Sequence, residues 1–275
     1  MVMQFIITND VVILRSVHKT EQTQWKGLSS CAYGKREHGF DKSQVRTCRK
    51  QIEAMPHLNL AAQTAVTTCQ KLFSSRRWNC SSVLNAPKHT PDLNTGTREQ
   101  AVVHALASGA VTWALSRACA QGTLFLCHCG AVPHEPPNGN FKWGGCGDNV
   151  KFGARFAREF LDTSKGNRNK RYIDGEVVVE SLATQCKCHG VSGSCNVKTC
   201  WRALPNFNEA GSRVYRRYLQ GVEVREVNAG LRLHLLPASP AVTRFSRDDL
   251  IYITKSPDYC HPMPRLGSIG TIGRQ

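Results

Sequence analysis

The pattern of hydrophobic and polar residues predicts helices in six segments of the chain. In the clearest of them, Val102, Leu106 and Ala110 lie on one apolar stripe, and Thr97 stands where a capping residue is expected. Asp148 is expected to cap the fourth helix in the same way. The six predicted segments are 43–55, 58–73, 98–121, 149–161, 176–184 and 207–219.

The pattern changes to alternation near residue 222. Residues 222–227 and 231–236 alternate and are separated by an Asn-Ala-Gly turn, which predicts a β-hairpin. A short strand is expected within 249–254, and residues 130–147 are predicted to be a loop because they are rich in proline and glycine. The fold class expected is mainly α with β-hairpins, that is, α+β.

Charge narrows the range of partners. The chain has 275 residues and a formal net charge of +16, which favours an anionic partner such as a nucleic acid, a sulfated polysaccharide or an acidic membrane surface. No run of apolar residues is long enough to predict a membrane span. Local basic clusters occur within 165–171 and 213–217.

The chain has 13 cysteines, which is many for a cytosolic protein and indicates an oxidising compartment. Because the number is odd, at least one thiol lacks an internal partner, and the isolated Cys260 is the candidate. Asn79-Cys80-Ser81 forms a glycosylation sequon. Residues 1–28 remain unassigned, since their apolar run is broken by Asn9 and Asp10 and does not match a signal peptide.

One segment, Cys186 to Cys200 ("CKCHGVSGSCNVKTC"), concentrates the candidate chemistry. One interpretation is a metal site, but the C-x-C spacing differs from the C-x2-C spacing of structural zinc sites. A second is a hydrolase elbow at Ser192, but Ser194 stands where that motif requires glycine. The residues that could in principle ligate a metal are Cys186, Cys188, His189, Cys195 and Cys200.

A third interpretation is a hairpin with nested disulfides, Cys188–Cys195 inside Cys186–Cys200. The second limb is three residues longer than the first, so a bulge or twist is expected. Gly190 and Gly193 are expected to supply unusual backbone angles at the tip. From the residues alone, a purely structural loop and a tip for modification or recognition remain equal alternatives.

Three segments resemble signatures of the Wnt family of secreted, lipid-modified signalling proteins. They are Arg76–Ser82 ("RRWNCSS"), Trp143–Asn149 ("WGGCGDN") and Cys186–Trp201. The resemblance covers residues 31–260 in the order of the family and is greatest to the Wnt-eleven subgroup. It implies a disulfide-stapled, saposin-like helical N-terminal domain over 29–236 with a lipid-bearing hairpin over 182–202.

The same resemblance implies specific residue roles. Ser192 matches the serine that the acyltransferase Porcupine esterifies with palmitoleate, and Asn79 matches a glycosylation position. Cys260 matches the first cysteine of a C-terminal cysteine-rich domain; residues 237–275 would be a linker and the start of that domain, which is otherwise largely absent. The implied disulfides are Cys69–Cys80, Cys119–Cys127, Cys129–Cys146, Cys186–Cys200 and Cys188–Cys195, with Cys31–Cys48 as an additional pair.

The function implied is that of a non-enzymatic ligand secreted to the extracellular space and matrix, acting in development. Its acyl chain would enter a groove in the cysteine-rich domain of Frizzled receptors. Further partners implied are an LRP-type co-receptor, the Wntless carrier and heparan sulfate. We expect no cofactor, metal or nucleic acid, and membrane contact only through the lipid. The alternatives are a zinc-binding, nucleic-acid-associated protein and a truncated, non-signalling fragment.

Overall fold

The computed structural model describes residues 25–85, 91–93, 95–137, 139–161, 176–229, 232–246 and 248–273. Within these ranges the chain has seven α-helices, and helices predominate up to residue 219. The helices are α1 Leu28–Glu37, α2 Lys42–Lys50, α3 Met55–Phe73, α4 Arg98–Ala120, α5 Val150–Leu161, α6 Glu176–Val179 and α7 Phe207–Leu219.

Eight short strands accompany the helices in the described ranges. They form two three-stranded sheets, with strand orders β1-β3-β2 and β5-β4-β6, and a separate pair, β7-β8. The expected mixture of helices and β-hairpins is therefore confirmed. The strands are β1 Lys142–Trp143, β2 Ala183–Cys188, β3 Lys198–Ala203, β4 Val222–Ala229, β5 Arg232–Pro237, β6 Ile251–Tyr252, β7 Pro262–Met263 and β8 Ser268–Ile269.

Helix α4 lies at the centre of the helical body. Its Thr97 cap is confirmed, because the Thr97 hydroxyl accepts a hydrogen bond from the Gln100 N–H. The helix is buried on more than the predicted stripe, since polar residues such as Thr112 and Ser116 are also buried. Small side chains at these positions allow α3, α5 and α7 to pack around α4.

An aromatic group extends the core from α3 to α7. Phe73 is fully buried and lies edge-on to Trp78, Tyr215 and Tyr218, with ring centroids 4.9 to 5.1 Å apart. Edge-to-face contacts at this distance stabilise a core beyond the burial of area. Helix α5 adds a second aromatic group to the core, where Phe152, Phe156 and Phe160 are buried.

Several predicted boundaries differ from the structure. Helix α2 ends at Lys50, and Pro56 lies in the first turn of α3, where its missing N–H costs nothing. Helix α6 ends at Val179 rather than at the predicted residue 184, because β2 begins at Ala183 and competes for the same segment. The cluster within 165–171 lies outside the described residues, as does most of the unassigned segment 1–28.

Six disulfides link neighbouring elements, and they join the same pairs that the resemblance implied. Cys31–Cys48 joins α1 to α2, and Cys69–Cys80 joins α3 to the turn that follows it. Cys260 forms no disulfide and is half-buried. The remaining bonds are Cys119–Cys127, Cys129–Cys146, Cys186–Cys200 and Cys188–Cys195.

Candidate functional site

The hairpin formed by β2 and β3 carries the candidate serine at its exposed end. The two strands are antiparallel, with Cys186 opposite Cys200 and Cys188 opposite Lys198. Cys186–Cys200 therefore staples directly opposed positions, whereas Cys195 lies beyond the ladder and bonds back to Cys188. All four sulfur atoms are in S–S bonds, so none is available as a thiolate ligand for a metal.

The expected asymmetry of the hairpin is resolved at its tip. The His189 N–H donates to the Val197 carbonyl at 2.9 Å, and the next N–H, that of Gly190, donates to the Ser194 carbonyl at 2.9 Å. Between these two hydrogen bonds the chain advances by one residue on the first limb and by three on the second. The second limb therefore has two extra residues, which bulge out. The extra length predicted from the sequence is placed beyond the regular ladder.

Ser192 lies at the end of the hairpin with its side chain exposed. It adopts left-handed backbone angles, φ 56° and ψ 27°, in a short 3-10 turn from Val191 to Gly193. A non-glycine residue in this region is strained by about 1 kcal/mol or more, so the surrounding turn must hold it there. The bonds Gly193 N–H to Gly190 carbonyl and Ser194 N–H to Val191 carbonyl do so, at 2.9 and 3.1 Å.

The two tip glycines have different roles. Gly193 has the unusual backbone angle that was expected, with φ +77°. Gly190 does not, since its φ is −69°. It is needed for space instead, because a Cβ there would lie 2.4 Å from the Ser194 hydroxyl oxygen and 2.8 Å from the Ser194 carbonyl oxygen. The predicted unusual backbone angle at Gly190 is therefore wrong, and glycine is required there because a side chain would not fit.

His189, one of the possible metal ligands in the sequence, contacts the opposite strand. Its Nε2 atom lies 2.7 Å from the Thr199 Oγ1 atom, a hydrogen bond across the hairpin. The side chain is exposed, and this bond joins it to Thr199 and not to Ser192. Its role is to brace the outer part of the hairpin.

A third strand, which the sequence analysis missed, holds the base of the hairpin. Within the segment predicted to be a loop, β1 pairs in parallel with β3, with Lys142 opposite Thr199 and Trp143 opposite Cys200. The Gly144 N–H then donates to the Cys200 carbonyl at 3.0 Å. A two-residue parallel strand has no periodicity of its own, so only the density of glycine in this segment could have indicated a close approach.

The segment after β1 ties the hairpin to the helical body. The Asp148 N–H donates to the Arg202 carbonyl at 3.0 Å, and the Asp148 carboxylate accepts from the Leu204 N–H at 2.6 Å. Next along the chain, the Asn149 N–H donates to the Ser116 carbonyl of α4 at 3.2 Å. Two successive residues thus bridge β3 and the central helix.

Asp148 consequently does not cap α5, as the sequence had predicted. Asn149 takes that position, since its Oδ1 atom accepts from the Phe152 N–H at 3.1 Å. The Asp148 carboxylate points to the hairpin base instead. Burial raises the pKa of this carboxyl above its usual range, and the hydrogen bond from Leu204 and the charge of Arg117 partly oppose that shift.

Arg202 makes a second connection at the hairpin base. Its guanidinium lies 5.3 Å from the ring centroid of Trp143, forms an ion pair with Glu135 and donates to the Thr184 hydroxyl at 2.9 Å. The Trp143 indole N–H donates to the Glu135 carbonyl at 2.8 Å. These contacts are partly exposed, so they orient the base more than they stabilise the whole fold.

Replacing Asp148 by alanine is expected to loosen the hairpin base. The Leu204 N–H would lose a charge-assisted acceptor with a net stabilisation of about 1.5 to 3 kcal/mol. Amide hydrogen exchange at Leu204 should therefore accelerate about ten- to a hundredfold. Asp148→Asn is the matched control, because its amide oxygen can still accept the bond. Equal exchange rates at Leu204 in the alanine variant and the parent would contradict this assignment.

Asn79, the candidate glycosylation site, lies in the turn after α3. Its side chain is half-buried, and its Oδ1 atom accepts from the Ser81 N–H at 3.3 Å. Cys80, between them, is held in the left-handed region with φ 65° and is bonded to Cys69. The sequon is thus part of a disulfide-bonded turn.

In the described part of the chain, no helix has the length and hydropathy to cross a bilayer.

Comparison with known proteins places these features in one family. The Wnt family model matches residues 36–275. Wnt-11b-2 of Xenopus tropicalis is 41% identical over 91% of this chain and 77% of its own length, and Wnt-11 of Gallus gallus is 37% identical over 90% and 73%.

Two solved structures have a similar fold. A chain of the complex of human WLS with WNT8A superposes with a TM-score of 0.56 at 28% identity, covering 80% of this chain and 74% of that one. The N-terminal domain and linker of Drosophila WntD superposes with a TM-score of 0.56 at 22% identity, covering 75% of this chain and 98% of that one. The chain therefore belongs to the Wnt family of secreted signalling ligands.

Proposed function

We propose that this Wnt protein binds Frizzled receptors through a palmitoleoyl chain esterified to Ser192. The observation that carries the proposal is the position of Ser192, exposed at the end of a hairpin that two disulfides and a third strand hold in place. The side chain is reachable by an acyltransferase of the Porcupine type. The chain would act as a ligand in development and not as an enzyme.

The physical advantage of the acyl group lies in the apolar area that it adds. The tip itself is small, and its large apolar side chains are few. Each buried CH₂ of an acyl chain contributes about 0.8 kcal/mol, so a long chain supplies most of the affinity for an apolar groove in the Frizzled cysteine-rich domain. A hairpin that is already ordered lowers the entropy lost when that chain is presented to the receptor.

The remaining partners follow from family membership and charge. Similarity to a chain of the human WLS–WNT8A complex supports a Wntless-type carrier for this protein. A net charge of +16 supports retention by heparan sulfate in the extracellular matrix. An LRP-type co-receptor is proposed by family membership alone, and the sequon supports a glycan on Asn79.

Acylation can be located by mass spectrometry. Protein secreted from cells that express Porcupine should yield, after reduction and digestion, a hairpin peptide with the palmitoleoyl mass on Ser192. Ser194, two residues further along the same tip, is the internal control and should be unmodified. An unmodified Ser192, or an acyl group found on Ser194, would contradict the proposal.

A further inference from the structure

The hairpin is positively charged and contains no acidic side chain. Residues 182–202 include Lys187, Lys198 and Arg202 and no Asp or Glu. Arg202, at the base, forms an ion pair with Glu135. Neither lysine takes part in any of the ion pairs found among the described residues. Their charge is therefore available to an external anion.

The strand register brings a third lysine to the same level. Lys142 on β1 and Lys187 on β2 are both aligned with Thr199 on β3, so they flank Thr199 on one face of the sheet. Lys198 is aligned with Cys188, one residue nearer the tip, and points to the other face. We name Lys142, Lys187 and Lys198 the lysine collar, because they surround the hairpin within about 3.4 Å of its length.

An apolar end projects beyond the lysine collar. Val191 is 89% exposed and Val197 is 54% exposed, so two branched aliphatic side chains face solvent at this end of the hairpin. Between the lysine collar and Val191, His189 is the one other side chain that can carry charge. A small apolar end beside a ring of ammonium groups matches the layered chemistry of a bilayer surface, where lysines bind phosphate and apolar groups lie deeper.

We propose that the lysine collar docks the hairpin on an anionic phospholipid surface, with Val191 and Val197 entering the headgroup region. The charge complementarity of three ammonium groups, none of which takes part in the ion pairs found among the described residues, carries this choice of partner. The contact does not depend on acylation of Ser192. It adds a charge-dependent membrane contact to the one expected through the lipid.

The two contacts would reinforce each other. A single acyl chain holds a protein at a membrane only marginally, and a basic patch is one of the second signals that make the attachment stable. Each lysine near an anionic surface contributes about a fivefold gain in partitioning. With its own attraction to the surface, the hairpin would stay at the bilayer before acylation and after loss of the acyl chain.

Vesicle co-sedimentation of the full chain carrying Ser192→Ala tests the proposal without the acyl group. It should bind vesicles that contain phosphatidylserine, bind pure phosphatidylcholine weakly, and dissociate as salt is raised. Adding Lys142→Gln, Lys187→Gln and Lys198→Gln should weaken partitioning roughly a hundredfold. The matched control makes the same Lys→Gln change at three exposed positions of the helical body, Lys26, Lys50 and Lys71. Its partitioning to the vesicles should weaken far less.

Thiol counting verifies that each variant retains its disulfides, with Cys260 as the one free thiol. Arginine at all three collar positions should restore binding, because the charge is kept. Unchanged vesicle binding by the collar variant, or an equal loss in the control variant, would overturn the proposal. Collar-dependent binding to heparin without binding to vesicles would overturn it too, and would assign the surface to a sulfated polysaccharide.

Discussion

Ser192→Ala is expected to reduce affinity for the Frizzled cysteine-rich domain by at least about a thousandfold. The variant lacks the oxygen to which the acyl chain would be esterified. Burial of only about five methylenes in the receptor groove amounts to about 4 kcal/mol, which already corresponds to that loss. The affinity should be measured by surface plasmon resonance with the immobilised receptor domain and with protein produced in cells that express Porcupine.

The fold should be unaffected by this change. Ser192 is exposed, and the hydrogen bonds of the tip are made by backbone atoms that alanine retains. Ser194→Ala is the matched control, since it removes a hydroxyl from the same tip and should keep both acylation and binding. Ser192→Ala protein that binds the receptor domain with the affinity of the parent would rule out the lipid contact as the source of affinity.

Of the substitutions proposed above and below, Gly153→Ala is expected to lower the free energy of unfolding most, by about 3 kcal/mol or more. Gly153 lies on α5 where that helix meets α4. A Cβ atom there would lie 2.4 Å from the Thr112 carbonyl oxygen and 2.5 Å from the Ser116 hydroxyl oxygen. The hydroxyl could rotate away, but the carbonyl belongs to the central helix, so the two helices would have to separate. The loss of their close packing outweighs the better helix propensity of alanine.

Urea denaturation with the disulfides intact measures this effect through the shift of the transition midpoint. Gly27→Ala is the control, because a Cβ at Gly27 would have no atom within 4 Å and its backbone is extended. Its midpoint should remain close to that of the parent. If the Gly153 and Gly27 variants unfold at the same urea concentration, the close approach of α4 and α5 is not a determinant of stability.

Local signals in the sequence were sufficient for the long elements. Helices α3, α4 and α7 have clear periodicity, and the Thr97 cap is a short-range signal. Alternation likewise predicted the β4–β5 hairpin, but Asn228 and Ala229, which were expected in the turn, belong to β4, where they pair with Leu233 and Arg232. The close spacing of cysteines likewise favoured a stapled hairpin over a metal site, because C-x-C on a strand aims both sulfurs at one face. The family resemblance, not spacing, supplied the complete disulfide pairing.

Signals that depend on distant residues were misread or missed. Asp148 and Asn149 are both good capping residues, and the choice between them depends on the Leu204 N–H, which takes the Asp148 carboxylate. Gly153 within α5 suggests only a weaker helix until Thr112 is placed against it. Strand β1 exists because β3 offers it hydrogen bonds, and two residues alone encode no strand.

The sequence by itself determined the helical framework, the stapled tip with Ser192 between glycine-rich flanks, and the excess of positive charge. Periodicity, cysteine spacing and composition suffice for these because they are properties of neighbouring residues. The tertiary structure alone decided that Lys142 joins Lys187 and Lys198 around the hairpin, and that Asp148 anchors its base. These arrangements depend on pairing of segments more than fifty residues apart, and the geometry of such contacts is set only when the chain is folded.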